Sequence, residues 1–597
     1  MNWLRNLLIL AIATVVWILI HEWQTESQTI KDLSLQLAQT QSSSIGDFPK
    51  VQDENVKPVD DNSTVQVTND TTDNPKETST SSSSLPAFEN APSQAQLNAS
   101  VSSENLITVE TDVFTAQIRP LGGDLVSVGL KEYPVSLSAQ DIPFKVLRKP
   151  APDQVDGLYF AESGIVGKTG SDLDSGSRNS RPTYSFSKTS FTFEDKNQKV
   201  LSVPLIYTNA KGIQFEKIYH FPRKGYDISV EYKITNPTDQ SWMGIPFNRL
   251  RRSGFTDPSS NQMSFGMSTY LGGAYVDPEE KFKKIDFDDM SSAFEQNTPA
   301  LNQTMQGGWV AMLQHYFLTA WIPPAQLTHQ YRAFEEPGTA NTGPNYVMEI
   351  VSPTITTEAK STQTYSAKLY VGPKIQDWLK ELAPGLHLTV DYGFLFFISD
   401  ALIFVLDFIH KWVKNWGWSI VLLTLFVRAC LWPLSAKSYK SMAQMRKLQP
   451  KLALLKERHG DDKQKLSQEF MKLYKEEKIN PLGGCLPVLI QMPIFLALYW
   501  ALMESVQLRQ APFMGWIQDL SVMDPYFVLP ILMGITMWIQ QHLNPQPPDP
   551  LQAKIMKIFP IALTFLFLFF PAGLVLYWVT SNIISITQQW MITRRYA

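Results

Sequence analysis

One arginine inside an apolar run is the side chain best placed to do chemistry. Arg428 interrupts residues 420–432, which are otherwise aliphatic, aromatic or small apart from Thr424, one helical turn earlier. A cation at a bilayer centre costs about 2.5–3.5 kcal/mol, so an intramembrane arginine usually faces protein or a water-filled cavity. The alternative is an arginine that snorkels to the headgroups, because Ser435 and Lys437 follow within ~10 Å of helix. A second polar set answers it. In the last apolar segment Trp578, Ser581, Asn582, Ser585 and Gln589 fall at i, i+3, i+4, i+7 and i+11, on one side of a helix. Such a stripe is unsuited to lipid. It serves either as interhelical hydrogen bonding, at about 0.6 kcal/mol per contact, or as the wall of a polar cavity. Gln491, Thr536 and Gln540 add polar groups from two further segments. Convergence from four helices favours a hydrated cavity.

The elements that must position these residues differ sharply between the two halves of the 597-residue chain. Apolar stretches at 416–434, 482–503, 525–541, 555–570 and 572–592 are read as five membrane spans. Residues 1–23 add a sixth span, read as an uncleaved signal anchor because the residues after Ile20 are not a small-x-small cleavage site. Prolines at 481, 487, 493, 525, 530, 560 and 571 predict bent helices, since proline removes a backbone hydrogen bond. Residues 24–104 are rich in Ser, Thr, Asn, Asp and Gln and cannot bury enough surface to order themselves. Residues 105–374 turn to a period of two, clearest where Ile228, Val230, Tyr232 and Ile234 share a face, and predict an all-β sandwich. At 375–415 the period becomes helical, predicting a connecting helix and an amphipathic helix at the membrane interface.

Charge orients the spans. Within 436–480 lie Lys447, Lys451, Lys456 and Arg458 on a segment whose apolar stripes are broken by His459, Gly460, Asp461 and Asp462. Glycine ends one helix and aspartate caps the next, giving a cationic helical hairpin. Lys and Arg mark the cytoplasmic side, so the hairpin and both termini are cytoplasmic and the β domain lies outside. The hairpin would meet anionic lipid and could dock an acidic or RNA-rich partner at the cavity mouth. The net charge of −4 argues against a nucleic-acid substrate. The two cysteines, Cys430 and Cys485, form no disulfide framework, no phosphate-binding Gly-x-x-x-x-Gly-Lys-Ser/Thr loop occurs, and neither a metal nor another cofactor is expected.

Residues 480–487 (Asn-Pro-Leu-Gly-Gly-Cys-Leu-Pro), 491–495 (Gln-Met-Pro-Ile-Phe), 509–513 (Arg-Gln-Ala-Pro-Phe) and 570–577 (Phe-Pro-Ala-Gly-Leu-Val-Leu-Tyr) resemble the YidC/Oxa1/Alb3 membrane protein insertases, in the Gram-negative form with a periplasmic domain. The resemblance implies a non-enzymatic insertase and chaperone of the bacterial inner membrane. It implies a five-helix core with a hydrophilic groove that contains Arg428, and a periplasmic β-supersandwich resembling sugar mutarotases. Nascent inner-membrane proteins would be its substrates, and Sec translocon components, the ribosome and signal-recognition pathway and membrane lipids its partners. Two departures stand out: relatives often carry tyrosine where this chain has Trp578, and the chain ends at Ala597 without the longer basic tail of some relatives. The rivals are an ion transporter, disfavoured by the absence of internal repeats, and a periplasmic sugar enzyme using His220, His315 or His329, disfavoured by the absence of a recognisable His/Glu arrangement.

Overall fold

Strict alternation of buried and exposed residues builds the first half into strands. In the strand Asp227–Asn236 the inward residues Ile228, Val230, Tyr232 and Ile234 are buried, as period two requires. The computed structural model describes residues 105–149, 157–167, 181–254, 270–276, 282–338, 343–459, 463–477, 486–544 and 550–596. The expected anchor at 1–23 and tether at 24–104 lie outside the described residues.

Among the described residues the β region forms an eleven-stranded and an eight-stranded sheet. In the larger, Tyr159–Gly167, Trp242–Ser253, Asn345–Val351 and Thr328–Glu336 lie side by side, each antiparallel to the next. In the smaller, Phe317–Ile322, Ser361–Pro373, Asp227–Asn236 and Gln214–Pro222 do the same. Their inner faces share one apolar core in which Trp309, Trp321, Tyr159, Tyr219 and Tyr232 are fully buried. This is the expected sandwich.

The helices are α1 (Phe287–Glu295), within the β region, α2 (Gln376–Leu382), α3 (Phe396–Val413), α4 (Trp416–Cys430), α5 (Trp432–Lys447), α6 (Gln449–His459), α7 (Lys463–Glu476), α8 (Leu486–Glu504), α9 (Val528–Leu543), α10 (Pro550–Phe567) and α11 (Ala572–Tyr596). Local chemistry sets several boundaries. Asn415 caps α4 by accepting the Trp418 amide at 3.0 Å. Asp524 accepts the Leu529 amide at 2.7 Å and the Trp516 indole at 2.9 Å, fixing the entry to α9. The span expected at 416–434 ends sooner, at Cys430, and the chain bends by 68° into α5. Pro433 explains the break, because it lacks an amide hydrogen and crowds the carbonyl four residues before it.

α5 is therefore not the start of the expected hairpin. Its Ser435, Ser438, Tyr439, Met442 and Ala443 are buried. The chain divides into one unit that contains residues 448–480 and a second that contains the β region and the remaining helices. The hairpin proper is α6 and α7, with Leu448, Leu452, Phe470 and Tyr474 buried. Among the described residues one helix, Gly393–Val413, is by itself long and apolar enough to cross a membrane; α4 and α5 qualify together as a bent pair. That first helix contains the segment expected to lie at the interface. Phe397, Phe404, Phe408 and Trp412 are exposed along it, whereas Ser399, Leu402 and Leu406 are buried.

The β region is fastened to the helical core. Lys374, one residue past the last strand, pairs with Glu504 at the end of α8 across 3.3 Å, both buried. His315 Nε2 donates to the Met503 carbonyl at 2.9 Å, and Arg509 Nη2 to the Pro134 carbonyl at 2.7 Å.

Candidate functional site

The site is assembled on α11, whose polar stripe faces α4, α8 and α9. Arg428 is 8 % exposed near the end of α4. Its Nε donates to Ser581 Oγ at 3.0 Å, and Nη2 donates to the same oxygen. No carboxylate among the described residues pairs with it. A buried guanidinium with a single hydroxyl partner is far from compensated, since charge burial is normally offset by a counter-charge and several hydrogen bonds.

The other expected residues gather around it to different degrees. Thr424 is buried one turn away, but its hydroxyl donates back to the Ile420 carbonyl at 2.7 Å. Asn582 Nδ2 donates to Thr536 Oγ1 at 3.1 Å, tying α11 to α9. Ser585 is buried and donates to the Ser581 carbonyl at 2.8 Å. Gln491 on α8 donates through Nε2 to the Tyr577 hydroxyl. Gln540 is half-buried on α9. Trp578 packs among aromatic rings, its own 4.6 Å from that of Phe495 and 5.1 Å from that of Phe567. Gln589 reaches the Leu543 carbonyl at 3.2 Å and Asn544 Oδ1 at 2.8 Å.

Sequence reasoning missed two members. Tyr577 lies one turn before Ser581 on the same stripe, and that spacing was a usable signal. Gln588, buried and donating to the Trp432 carbonyl at 3.4 Å, lies three residues after Ser585 and seven after Ser581, so the same spacing pointed to it as well. Oε1 of Gln491, Gln588 and Gln589 is buried and accepts no hydrogen bond. An orphaned acceptor costs about 1–3 kcal/mol, so each calls for water or a polar group of a passing chain.

Of the expected hairpin contacts, Lys451, Lys456 and Arg458 are exposed on α6, and Lys451 pairs with Glu477 at 2.6 Å. Lys447 ends α5 instead, and Asp461 and Asp462 lie outside the described residues. The β-region histidines make structural contacts: His220 with Ser202 and Glu231, His315 with Met503, His329 with Ser352 and the Pro324 carbonyl. No cluster able to hold a metal ion occurs among the described residues.

Two family models match the chain: the YidC periplasmic domain over residues 106–405 and the 60Kd inner membrane protein over residues 408–597. A membrane protein insertase YidC of Pseudomonas putida strain W619 is 48 % identical over 514 residues, covering 86 % of this chain and 88 % of the relative. Its counterpart in Stutzerimonas stutzeri strain A1501 is 43 % identical over 592 residues, 99 % of this chain and 98 % of the relative. Among solved structures, an active YidC insertase with its first transmembrane domain resolved covers 81 % of this chain and 92 % of its own, at 18 % identity and a TM-score of 0.35.

Proposed function

The chain belongs to the YidC family of membrane protein insertases, and we propose that it moves the polar tails of inner-membrane proteins along a hydrophilic groove centred on Arg428. Its activity is insertion rather than covalent catalysis, and its β region is the family's periplasmic domain. The observation that carries the groove reading is the buried guanidinium of Arg428, bonded to Ser581 and paired with no acid among the described residues. An acidic residue of a substrate tail completes it. At 5 Å and an effective dielectric near 20 their attraction is about 3 kcal/mol, close to the tail residue's own penalty for entering the membrane. Binding is then transient, as release requires.

The driving force is the substrate's. An apolar helix of about twenty residues gains roughly 10 kcal/mol on entering lipid, which no nucleotide need supplement. The groove lowers the barrier by shortening the dehydrated path. In this reading six spans cross the membrane, counting the N-terminal anchor, with α3 lying along the interface and both termini cytoplasmic. The hairpin α6–α7 presents Lys451, Lys456 and Arg458 to the ribosome and anionic lipid, and the protein works alone or beside the Sec translocon.

A photo-crosslinking amino acid placed in turn at Thr424, Gln491 and Asn582 tests this with a ribosome-stalled single-span chain in lipid vesicles. Adducts form at these positions and not at Ile561, which is exposed on α10. Adducts at Ile561 alone would sink the groove.

A further inference from the structure

A polar cavity and a polar side-chain cluster lie toward opposite ends of α8, and a chain of aromatic rings, packed with Leu498 and Ala497, runs between them. At the end nearest the β region a cavity of about 240 Å³ is lined by Lys374, Asp391, Tyr499, Trp500 and Glu504 among others. Two turns away Gln491 holds Tyr577, with its own Oε1 unpaired beside the Arg428–Ser581 contact one turn along α11. Tyr499, a wall of the cavity, has its ring 5.6 Å from Phe570. Phe570 lies 5.0 Å from Phe567, and Phe567 lies 5.1 Å from Trp578. Phe495 closes the set at 4.6 Å from Trp578 and 6.1 Å from Phe567. The five rings come from α8, α10, the turn after α10, and α11, and run without a gap from the cavity wall to the residues beside Gln491.

We propose that this ring stack is the permeability seal of the protein: it keeps water in the groove from joining water at the β-region face, so that a hydrated insertase does not leak ions. The inference rests on the groove reading above. A groove wet enough to host Arg428 brings water most of the way through the bundle, and the remaining dry path, from Gln491 to Tyr499, spans only ~12 Å of helix. Apolar constrictions of that kind exclude ions by dewetting. Large flat rings with few rotamers fill such a path without the gaps that flexible aliphatic chains leave. The same placement accounts for Trp578, whose ring packs into the stack against Phe495 and Phe567.

The test uses the full-length protein in phosphatidylethanolamine vesicles containing a minority of phosphatidylglycerol, with an internal pH dye and an external acid pulse. The variant Phe567→Ala with Trp578→Ala raises proton flux roughly tenfold or more, whereas Trp578→Phe and the outward-facing Phe565→Ala stay at the wild-type level. A double-alanine variant as tight as wild type, while monodisperse, overturns the seal. A thiol introduced as Gln491→Cys, in a chain carrying Cys430→Ser and Cys485→Ser, separates the seal from the groove. Modification of that thiol by a bulky membrane-impermeant reagent stops the leak of the double-alanine variant. A leak that persists after modification passes through damaged lipid or misfolded protein and also overturns the proposal. An unreactive Gln491→Cys brings down the groove reading and the seal together, whereas a reactive one in tight double-alanine vesicles removes the seal alone.

Discussion

Arg428 is a residue whose burial costs stability and whose site gives little back. Its guanidinium donates to one serine hydroxyl inside an apolar bundle, and interhelical contacts of that type contribute about 0.6 kcal/mol. A residue kept for packing would show the reverse balance. Arg428→Ala therefore leaves the thermal midpoint unchanged or raises it, because an uncompensated charge disappears. The loss falls on function instead. Insertion of a span with an acidic tail drops by roughly 10- to 100-fold, the equivalent of losing up to ~3 kcal/mol of attraction, while a neutral tail inserts within about twofold of wild type. Protease protection of the inserted tail in vesicles, read beside a melting curve, checks both halves. A variant that melts early and loses both substrates equally would make the arginine structural. Its position was legible in the sequence because one charge in an apolar run is conspicuous. Its bond to Ser581 was not, since only the packing of α4 on α11 brings the two together.

At the level of elements, periodicity exposed the strands and most helix ends, and missed what depends on register between distant segments. Ile228 to Ile234 announce their strand by alternation, and Pro433 explains a helix break that apolar length alone concealed. The clearest omission is a charge row across the larger sheet. Register places Glu162 opposite Arg249, Arg249 opposite Glu349, and Glu349 opposite Arg332, on four adjacent strands. Arg251 joins from the next position, 3.4 Å from Glu162 and 3.1 Å from Glu336. These residues are scattered over 187 positions of chain, from Glu162 to Glu349, so no local pattern could reveal them. Burial alone would raise the Glu162 carboxyl, but Arg251 and Arg249 hold it at about 2, below its ordinary 4.5. A carboxylate with a lowered value contributes stability that is fully present above the ordinary value and is lost as pH falls through the folded one. The β region therefore loses stability between about pH 4.5 and pH 2. Glu162→Gln removes that part of the pH dependence and costs about 3 kcal/mol at neutral pH, because it leaves two buried arginines short of an anion. Urea unfolding at several pH values measures both. An unchanged acid limb in the variant would show that Glu162 does not carry it.

Over the whole molecule, the β region and helical core of the larger unit are joined by polar contacts rather than by a broad apolar face alone. Lys374 and Glu504 meet at 3.3 Å, with side chains only 3 % and 9 % exposed. Arg509 and Gln510 both donate to the Pro134 carbonyl, and the Arg509 guanidinium lies 5.5 Å from the Phe144 ring. The family's motif at 509–513 thus meets the β region directly, a role its sequence could not show because Pro134 lies 375 residues away. A buried ion pair is costly to form and costlier to break: removing one partner leaves a desolvated charge, at about 3–5 kcal/mol, whereas replacing both with apolar residues of similar volume is often neutral. Glu504→Ala therefore uncouples the two regions. Calorimetry of the intact chain in detergent shows one cooperative transition for the wild type and two for Glu504→Ala, while Lys374→Met combined with Glu504→Leu restores a single transition. If the double variant split as Glu504→Ala does, the charge pair itself would hold the regions together. If neither split, the contacts of Arg509 and His315 would suffice, and the ion pair would be a passenger at the junction.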